Sequence, residues 1–168
     1  MKVIKTFAAF IICTLLLVGC AILEPVQVVK KESIFNYDYF YIMPTGDVQS
    51  SSGAVYGGAY GVYGGSSSKS ANPADIIAGK MIKRGFVRLN EVDEKTADKT
   101  ILISYGESGR RSAGLGYTIE VTIQFTNAQT HSLICSCTGE GQGETETDDV
   151  RKAINRAMDE LFVSYDAE

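Results

Sequence analysis

Residues 117–126 read YTIEVTIQFT, and this stretch decides the fold because its pattern is strictly periodic. Apolar side chains occupy every odd position from Tyr117 to Phe125, and polar side chains occupy every even position. A period of two predicts a β-strand with one buried face and one face in water. Because a slip of one residue would exchange the two faces, the pairing register of this strand is well specified.

A returning strand follows a turn at residues 127–130. Leu133, Cys135 and Cys137 repeat with the same period, so we expect them on the buried face of an antiparallel partner strand. Three further apolar runs, at residues 37–43, 86–89 and 100–105, also predict strands.

Two other segments predict helices. Asn72 is the expected N-cap of the first helix, Pro73 occupies its first position, and Gly85 ends it. The second helix begins at a cap supplied by Thr147 or Asp148. Its apolar residues recur at helical spacing and predict core packing; they are Val150, Ala153, Ile154, Ala157, Met158 and Leu161.

The predicted order of elements is β-α-β-β-β-β-α. Because the even positions of residues 117–126 are polar, one face of the sheet is expected to be open to water, and both amphipathic helices must cover the other face. The sequence therefore predicts the α+β class, as a two-layer sandwich. Its sheet is mostly antiparallel, with about five strands and two helices on one face.

The N-terminus carries a separate signal. Lys2 and Lys5 precede an apolar run that ends at Val18, which is a length typical of a secretory signal. The run is too short for a comfortable membrane span, which needs roughly 20 apolar residues. An uncleaved N-terminal membrane helix is the alternative interpretation. The end of the run, residues 17–20 (LVGC), resembles a bacterial lipobox.

The lipobox resemblance implies that residues 1–19 are a lipoprotein signal peptide, cleaved between Gly19 and Cys20. It also implies diacylglyceryl transfer to the Cys20 thiol, and two or more acyl chains give a stable membrane anchor. Ala21 follows the cysteine where an aspartate would signal retention in the inner membrane. The resemblance thus implies a location on the outer membrane, and we expect the domain on its periplasmic face.

The remaining chain predicts two parts. Residues 20–36 are expected to form a lipidated tether, which when fully extended reaches roughly 50 Å. Residues 37–165 are expected to form a single α+β domain.

Of the 16 Lys and Arg residues, 14 remain after Lys2 and Lys5 are removed, against 20 Asp and Glu residues. This acidic balance argues against nucleic-acid binding, which needs a basic surface.

A Gly/Ser/Tyr-rich loop interrupts the domain at residues 45–71. Its tyrosines, Tyr56, Tyr60 and Tyr63, stand in a loose Tyr-Gly repeat. The loop is interpreted either as a flexible polar flap or as an aromatic contact surface for a partner or glycan. Ser68 precedes Lys69 where a phosphate-binding Walker loop requires glycine, so a nucleotide site is not predicted.

Two charged segments flank the central strands. Arg110 and Arg111 are expected on the loop after the third strand, and the glutamates on the loop after the fifth strand; these are Glu140, Glu144 and Glu146. Both loops emerge at the same end of an antiparallel meander, so surface ion pairs are one interpretation. In the other, the two arginines bind carboxylates of a partner, because a guanidinium is a bidentate donor.

The residues that could support catalysis form no recognisable set. Cys13 belongs to the signal peptide and Cys20 to the lipid site, while Cys135 and Cys137 are expected as buried free thiols. His131 lies at a predicted turn, without a nucleophile or carboxylate partner in view. We therefore predict no catalytic residue, no metal site, no cofactor and no enzymatic activity.

Several segments together resemble a Gram-negative outer-membrane lipoprotein family of unknown function. They are Lys83-Arg84-Gly85-Phe86, residues 97–105, the hairpin at residues 127–137 and the closing helix. In outline, the chain is similar to the small α/β domains of penicillin-binding-protein activator lipoproteins, the curli secretion lipoprotein and the N-terminal domain of the Tol-system β-propeller protein. The resemblance implies a fold and an envelope location.

Two functions remain open at this point. The first is a lipid-anchored cell-envelope accessory protein that binds the membrane through its lipid and another envelope protein through its domain. The alternative is a module that binds glycan or peptidoglycan fragments through Tyr56, Tyr60 and Tyr63.

Overall fold

The computed structural model describes residues 23–44, 72–113 and 116–167. The signal peptide, the predicted cleavage and lipidation site at Gly19 and Cys20, and the 45–71 segment with its three tyrosines lie outside the described residues.

The fold is α+β, as predicted, with a six-stranded mixed sheet and two helices. Strands run in the order β1-β6-β5-β4-β2-β3 across the sheet. The strands are β1 (Gln27–Lys30), β2 (Tyr39–Ile42), β3 (Val87–Arg88), β4 (Thr100–Ala113), β5 (Gly116–Asn127) and β6 (Leu133–Gly141), and the helices are α1 (Pro73–Lys83) and α2 (Glu146–Asp166).

The periodic stretch forms the central strand β5, and its alternation sets the two faces of the sheet. Ile119, Val121, Ile123 and Phe125 are buried against the helices, while the intervening polar residues belong to the opposite face. Antiparallel pairing aligns Ile103, Phe125 and Cys135 across β4, β5 and β6. This face forms the hydrophobic core, which explains why the register is fixed.

Strand β6 departs from the predicted alternation at its start. The register shifts where Phe125 pairs with Cys135 but Thr126 pairs with Leu133, so Ile134 is an additional residue in the strand. Ile134 is fully buried, whereas Leu133 is only half-buried. The carbonyl of Ile134 accepts backbone N–H groups of Lys31 and Glu32, which lie beyond the end of β1.

The two helices cover one face of the sheet and contact each other. Asn72 caps α1 as predicted, because its Oδ1 accepts the N–H of Ala74 at 3.1 Å. The cap of α2 is Thr145, whose hydroxyl accepts the N–H of Asp148, so the predicted cap at Thr147 or Asp148 was wrong. All six apolar residues predicted for the face of α2 are buried.

Two glycines allow α2 to lie close to β6. A Cβ atom added at Gly141 would stand 1.9 Å from the carbonyl oxygen of Asp149, and one at Gly139 would stand 2.9 Å from that of Ala153. Side chains at these positions would therefore push the helix away from the sheet.

The sheet is mostly antiparallel, as predicted, and is mixed because β2 lies parallel to β3 and β4. Two elements differ from the sequence-based predictions. Residues 27–30, assigned to a tether, form β1 at the sheet edge and pair with β6. β4 continues to Ala113 because its second half pairs with β5. Residues 106–113 are therefore strand and not loop. None of the helices in the described ranges is both long and apolar enough to cross a membrane.

Candidate functional site

One end of the sheet gathers most of the charged residues that the sequence indicated. The hairpin of β4 and β5, the end of β6 and the start of α2 all lie there. Because Gln27 pairs with Thr138 in antiparallel register, the chain before β1 also leads to this end. We call it the Glu140 end, comprising Glu24, residues 110–113 and 116–118, Glu140 and Glu146.

Glu140 lies at the centre of this end and is only 4% exposed. Arg111 donates two hydrogen bonds to its carboxylate, from Nη2 to Oε2 at 2.7 Å and from Nε to Oε1 at 3.1 Å. The hydroxyl of Thr118 donates at 3.3 Å, and the backbone N–H of Glu24 donates at 2.8 Å. The hydrogen bonds from Arg111, more than any other contact, lower the pKa of Glu140, so the ionised form is favoured in the folded protein.

The chain before β1 is fixed to the domain at Glu24. Arg156 of α2 donates to the backbone carbonyl of Glu24 at 2.9 Å and also to the backbone carbonyl of Glu140. The carboxylate of Glu24 lies 3.6 Å from Nε of Arg111. This part of the chain is thus held through both the N–H and the carbonyl of Glu24.

We call residues 24–32 the N-terminal strap. Beyond Glu24, the strap is held along β6 and at the far end of α2. Lys30 donates from Nζ to the carbonyl of Ser164 at 2.8 Å, which satisfies an acceptor in the last turn of the helix. The hydroxyl of Tyr165 donates to the carbonyl of Glu32 at 2.7 Å. The strap therefore belongs to the folded domain.

Arg110 faces the start of α2. It is paired with Glu107 and with Glu146, and these hydrogen bonds raise its pKa. Its guanidinium carbon lies 5.3 Å from the centre of the Tyr117 ring, in a cation–π contact. Arg110 and Tyr117 are each about two-fifths exposed, at 43% and 40%.

These positions correct the prediction of two opposed charged loops. Arg110 and Arg111 lie within β4, Glu140 lies within β6, and Glu146 is the first residue of α2. The ion pairs form, but the Arg111–Glu140 pair is covered on its acidic side because the N-terminal strap passes over it. Glu144 is exposed on the connection between β6 and α2.

The open face of the sheet is polar beside the Glu140 end. Ser108 donates to Glu120 at 2.6 Å, and Thr122 lies within hydrogen-bonding distance of both Ser108 and Thr138. A shallow depression here is lined by residues of β1, β5, β6 and the strap, among them Glu24, Gln27, Glu120 and Thr138. Such a surface suits polar contacts with another molecule, through hydroxyl and carboxylate groups.

The tyrosine-bearing segment is flanked by described residues that point to this same end. β2 runs parallel to β4 and therefore leads Pro44 toward it. α1 runs parallel to α2, since Lys80 pairs with Asp159 and Arg84 with Asp166, so Asn72 also lies on the side where α2 starts. Tyr56, Tyr60 and Tyr63 themselves lie outside the described residues.

The other residues that the sequence singled out are placed as follows. Cys135 and Cys137 are free and buried, and burial raises the pKa of both thiols, to about 12 for Cys135. His131 is exposed in the β5–β6 turn with a positive φ of 56°. No group of His, Cys, Asp and Glu side chains suited to a metal ion occurs among the residues that the structure describes.

Sequence reasoning missed three residues of this region. Glu24 and Arg156 meet only because the N-terminal strap pairs with β6, which no local pattern indicates. Asp149 is 4% exposed and its Oδ1 has no hydrogen-bond partner in the structure. Burial raises the pKa of Asp149, although a carboxylate in the first turn of a helix reads in the sequence as a favourable exposed residue.

Comparison with known proteins gives structural neighbours only. No family model matches the chain, and no curated protein matches it. Two solved structures of PelC from Paraburkholderia phytofirmans, both dodecamers, are similar to it. A PelC variant is 14% identical, with a TM-score of 0.48, and a second PelC structure is 13% identical, with a TM-score of 0.43; each match covers 81% of this chain and 95% of PelC.

Proposed function

We propose that this chain is a lipid-anchored accessory protein without catalytic activity, held on the periplasmic face of the outer membrane, which binds another envelope protein. The observation that carries the proposal is the LVGC stretch at residues 17–20, directly after an apolar run behind Lys2 and Lys5. Glu24, only four residues after Cys20, is hydrogen-bonded to the domain through Glu140. An acyl anchor at Cys20 would thus be joined directly to the domain.

The polar face of the sheet supports the binding part of the proposal. Neither helix covers this face. Thr122 stands on it within hydrogen-bonding distance of the Ser108 and Thr138 hydroxyls, and Gln124 pairs with Ser104 and Ser136 on the neighbouring strands. Such a face offers hydrogen bonds without a large apolar patch, which is typical of a contact that forms and dissociates. The partner that fits it is a protein surface with matching polar groups.

The lipid anchor is tested by growing cells with an alkyne fatty acid and measuring the mass of the purified protein. We expect label on the wild-type chain, loss of residues 1–19, and sedimentation with outer membranes. Cys20→Ser should abolish all three, whereas Cys137→Ser, at a buried core position, should leave label and cleavage unchanged. An unlabelled wild-type chain would contradict the proposal.

The partner is tested with photo-reactive amino acids placed in living cells. We expect a specific crosslinked protein from Thr122 or Gln124 on the open face, and none from Glu160, which is exposed on α2. Equal crosslinking from both surfaces, or none from the open face, would argue against a partner bound there.

Glycan binding through Tyr56, Tyr60 and Tyr63 is the second candidate, supported by the Tyr-Gly repeat that carries them. Replacing all three tyrosines by alanine separates the candidates. Loss of pull-down by purified peptidoglycan, with crosslinking from Thr122 retained, would favour the glycan module. Unchanged pull-down would remove it.

A further inference from the structure

We propose that the Glu140 end of the domain lies directly against the phospholipid headgroups of the membrane that holds the anchor, with the end of β4 and the start of β5 (residues 110–113 and 116–118) as the contacting element. This inference rests on the proposed acylation of Cys20 and adds the orientation of the domain and the surface that meets the lipid. A flexible tether of residues 20–36 would leave the domain free to take any orientation.

The connection between Cys20 and Glu24 is short. Glu24 is fixed by its backbone N–H to Glu140 and by its carbonyl to Arg156. Four residue steps separate Cys20 from Glu24, so their Cα atoms are at most about 14 Å apart. The tether predicted from sequence would have allowed roughly 50 Å. The N-terminal strap removes most of that reach because it is part of the sheet.

The paired strands β4 and β5 extend beyond the level of Glu24. Glu120 pairs with Glu140, and β5 continues three residues further, to Tyr117, beyond the level of Glu24. At a rise of about 3.3 Å per residue, the hairpin therefore extends about 10 Å past the point where the strap is fixed. An anchor within about 14 Å of Glu24 would bring the described ends of these strands, at Ser112 and Tyr117, close to the headgroups.

The side chains at the end of β4 and the start of β5 suit a lipid surface. Arg110 lies over the ring of Tyr117, and both side chains are partly exposed. An arginine with a long apolar stem and a tyrosine with a polar tip both suit the boundary between water and lipid. The guanidinium is also a donor for headgroup phosphate, although Glu107 and Glu146 share it in the free protein.

The experiment compares two exposed positions at opposite ends of the sheet in the full-length, membrane-processed protein. Ser112→Cys lies in the hairpin and Gln129→Cys lies in the β5–β6 turn, about 30 Å away along the strands. Each variant is labelled with a fluorophore and reconstituted into vesicles of phosphatidylethanolamine, phosphatidylglycerol and a lipid whose headgroup carries a quencher. We expect quenching at Ser112→Cys to be at least roughly twofold stronger than at Gln129→Cys, given this separation.

A second variant tests whether the short connection between Cys20 and Glu24 orients the domain. Insertion of 20 Gly and Ser residues between Leu23 and Glu24 adds a root-mean-square reach of about 25 Å, so the difference between the two labels should largely disappear. The acyl mass of each sample is measured first. Acylated protein with equal quenching at both positions would overturn the orientation and leave the proposed function standing. Protein without acyl groups would overturn the proposed function and the orientation with it.

Discussion

Arg111 and Glu140 lie 2.7 Å apart, between Nη2 and Oε2, although they belong to β4 and β6, with β5 between them. The side chain of Arg111 is 41% exposed, whereas that of Glu140 is 5% exposed. Removing the arginine leaves a covered carboxylate without its main donor, while removing the acid also leaves the buried hydroxyl of Thr118 and the N–H of Glu24 without their acceptor. The pair is therefore unequal, and Glu140 is the residue on which the Glu140 end depends.

Glu140→Ala should destabilise the domain. The substitution removes the acceptor for Arg111, Thr118 and the N–H of Glu24, and a buried group without its partner costs about 1–3 kcal/mol. Denaturant unfolding should show a free energy of unfolding lower by that amount. The matched control is Glu144→Ala, an exposed site, which should stay within about 0.5 kcal/mol of wild type. Equal effects of the two substitutions would contradict the role given to Glu140.

The free energy of unfolding should fall in acid partly because of Glu140. Its pKa in the folded state lies below the ordinary value of 4.5, chiefly through the hydrogen bonds from Arg111. The stabilisation by the ionised carboxylate is thus fully present above pH 4.5 and is lost as the pH falls through the lowered folded pKa. Glu140→Gln should flatten the decline in stability below pH 4.5. An unchanged decline in this variant would show that other carboxylates account for it.

Asp149→Asn should stabilise the protein at neutral pH. Burial raises the pKa of Asp149, so the stabilisation associated with its neutral form is present below its ordinary pKa of 3.8 and is lost as the pH rises through the folded pKa. An amide avoids the buried charge and keeps an acceptor for the N–H of Gly143. We expect a gain of about 1 kcal/mol at pH 7, vanishing in acid.

The neighbouring residue provides the control for Asp149. Asp148 is paired with Arg151 and Lys152, and these hydrogen bonds lower its pKa to about 2. Asp148→Asn should therefore lower the melting temperature at pH 7, opposite in sign to Asp149→Asn. The same sign for both would show that the two carboxylates do not differ as described.

Gly141→Ala should be severely destabilising. Its Cβ would stand 1.9 Å from the carbonyl oxygen of Asp149 and 2.6 Å from the nitrogen of Ala153, so α2 would have to move away from β6. We expect a loss of about 3 kcal/mol, or failure to fold. Gly106→Ala is the matched control because nothing lies within 4 Å of its added Cβ. This control should be neutral or slightly stabilising in thermal unfolding, since it restricts the unfolded chain.

Cys135 and Cys137 should not react with a thiol reagent in the native protein at pH 8. Both are buried, and burial raises the pKa of Cys135 to about 12. Both should react once denaturant unfolds the domain, and Thr130→Cys, at an exposed turn position, should react at once. Rapid labelling of the native wild-type core would show that β6 opens readily.

The sequence by itself determined the α+β class, the two faces of β5, the cap of α1 and the buried face of α2. Each of these follows from local periodicity or from a single capping side chain, so a window of a few residues contains the information. The lipobox resemblance at Cys20 is equally local. It remains a prediction because the described residues begin at Leu23.

Only the tertiary structure decided the length of β4, the pairing of β1 with β6 and the burial of Glu140. Residues 106–113 contain Gly, Ser and Arg and have no strand pattern; they are extended because β5 pairs with them. The N-terminal strap looks like a linker in the sequence and becomes structure because β6 offers a free edge and α2 offers Ser164 and Arg156. The contacts of the strap join residues more than a hundred positions apart, and their energy depends on a geometry that exists only after the sheet and helices have packed.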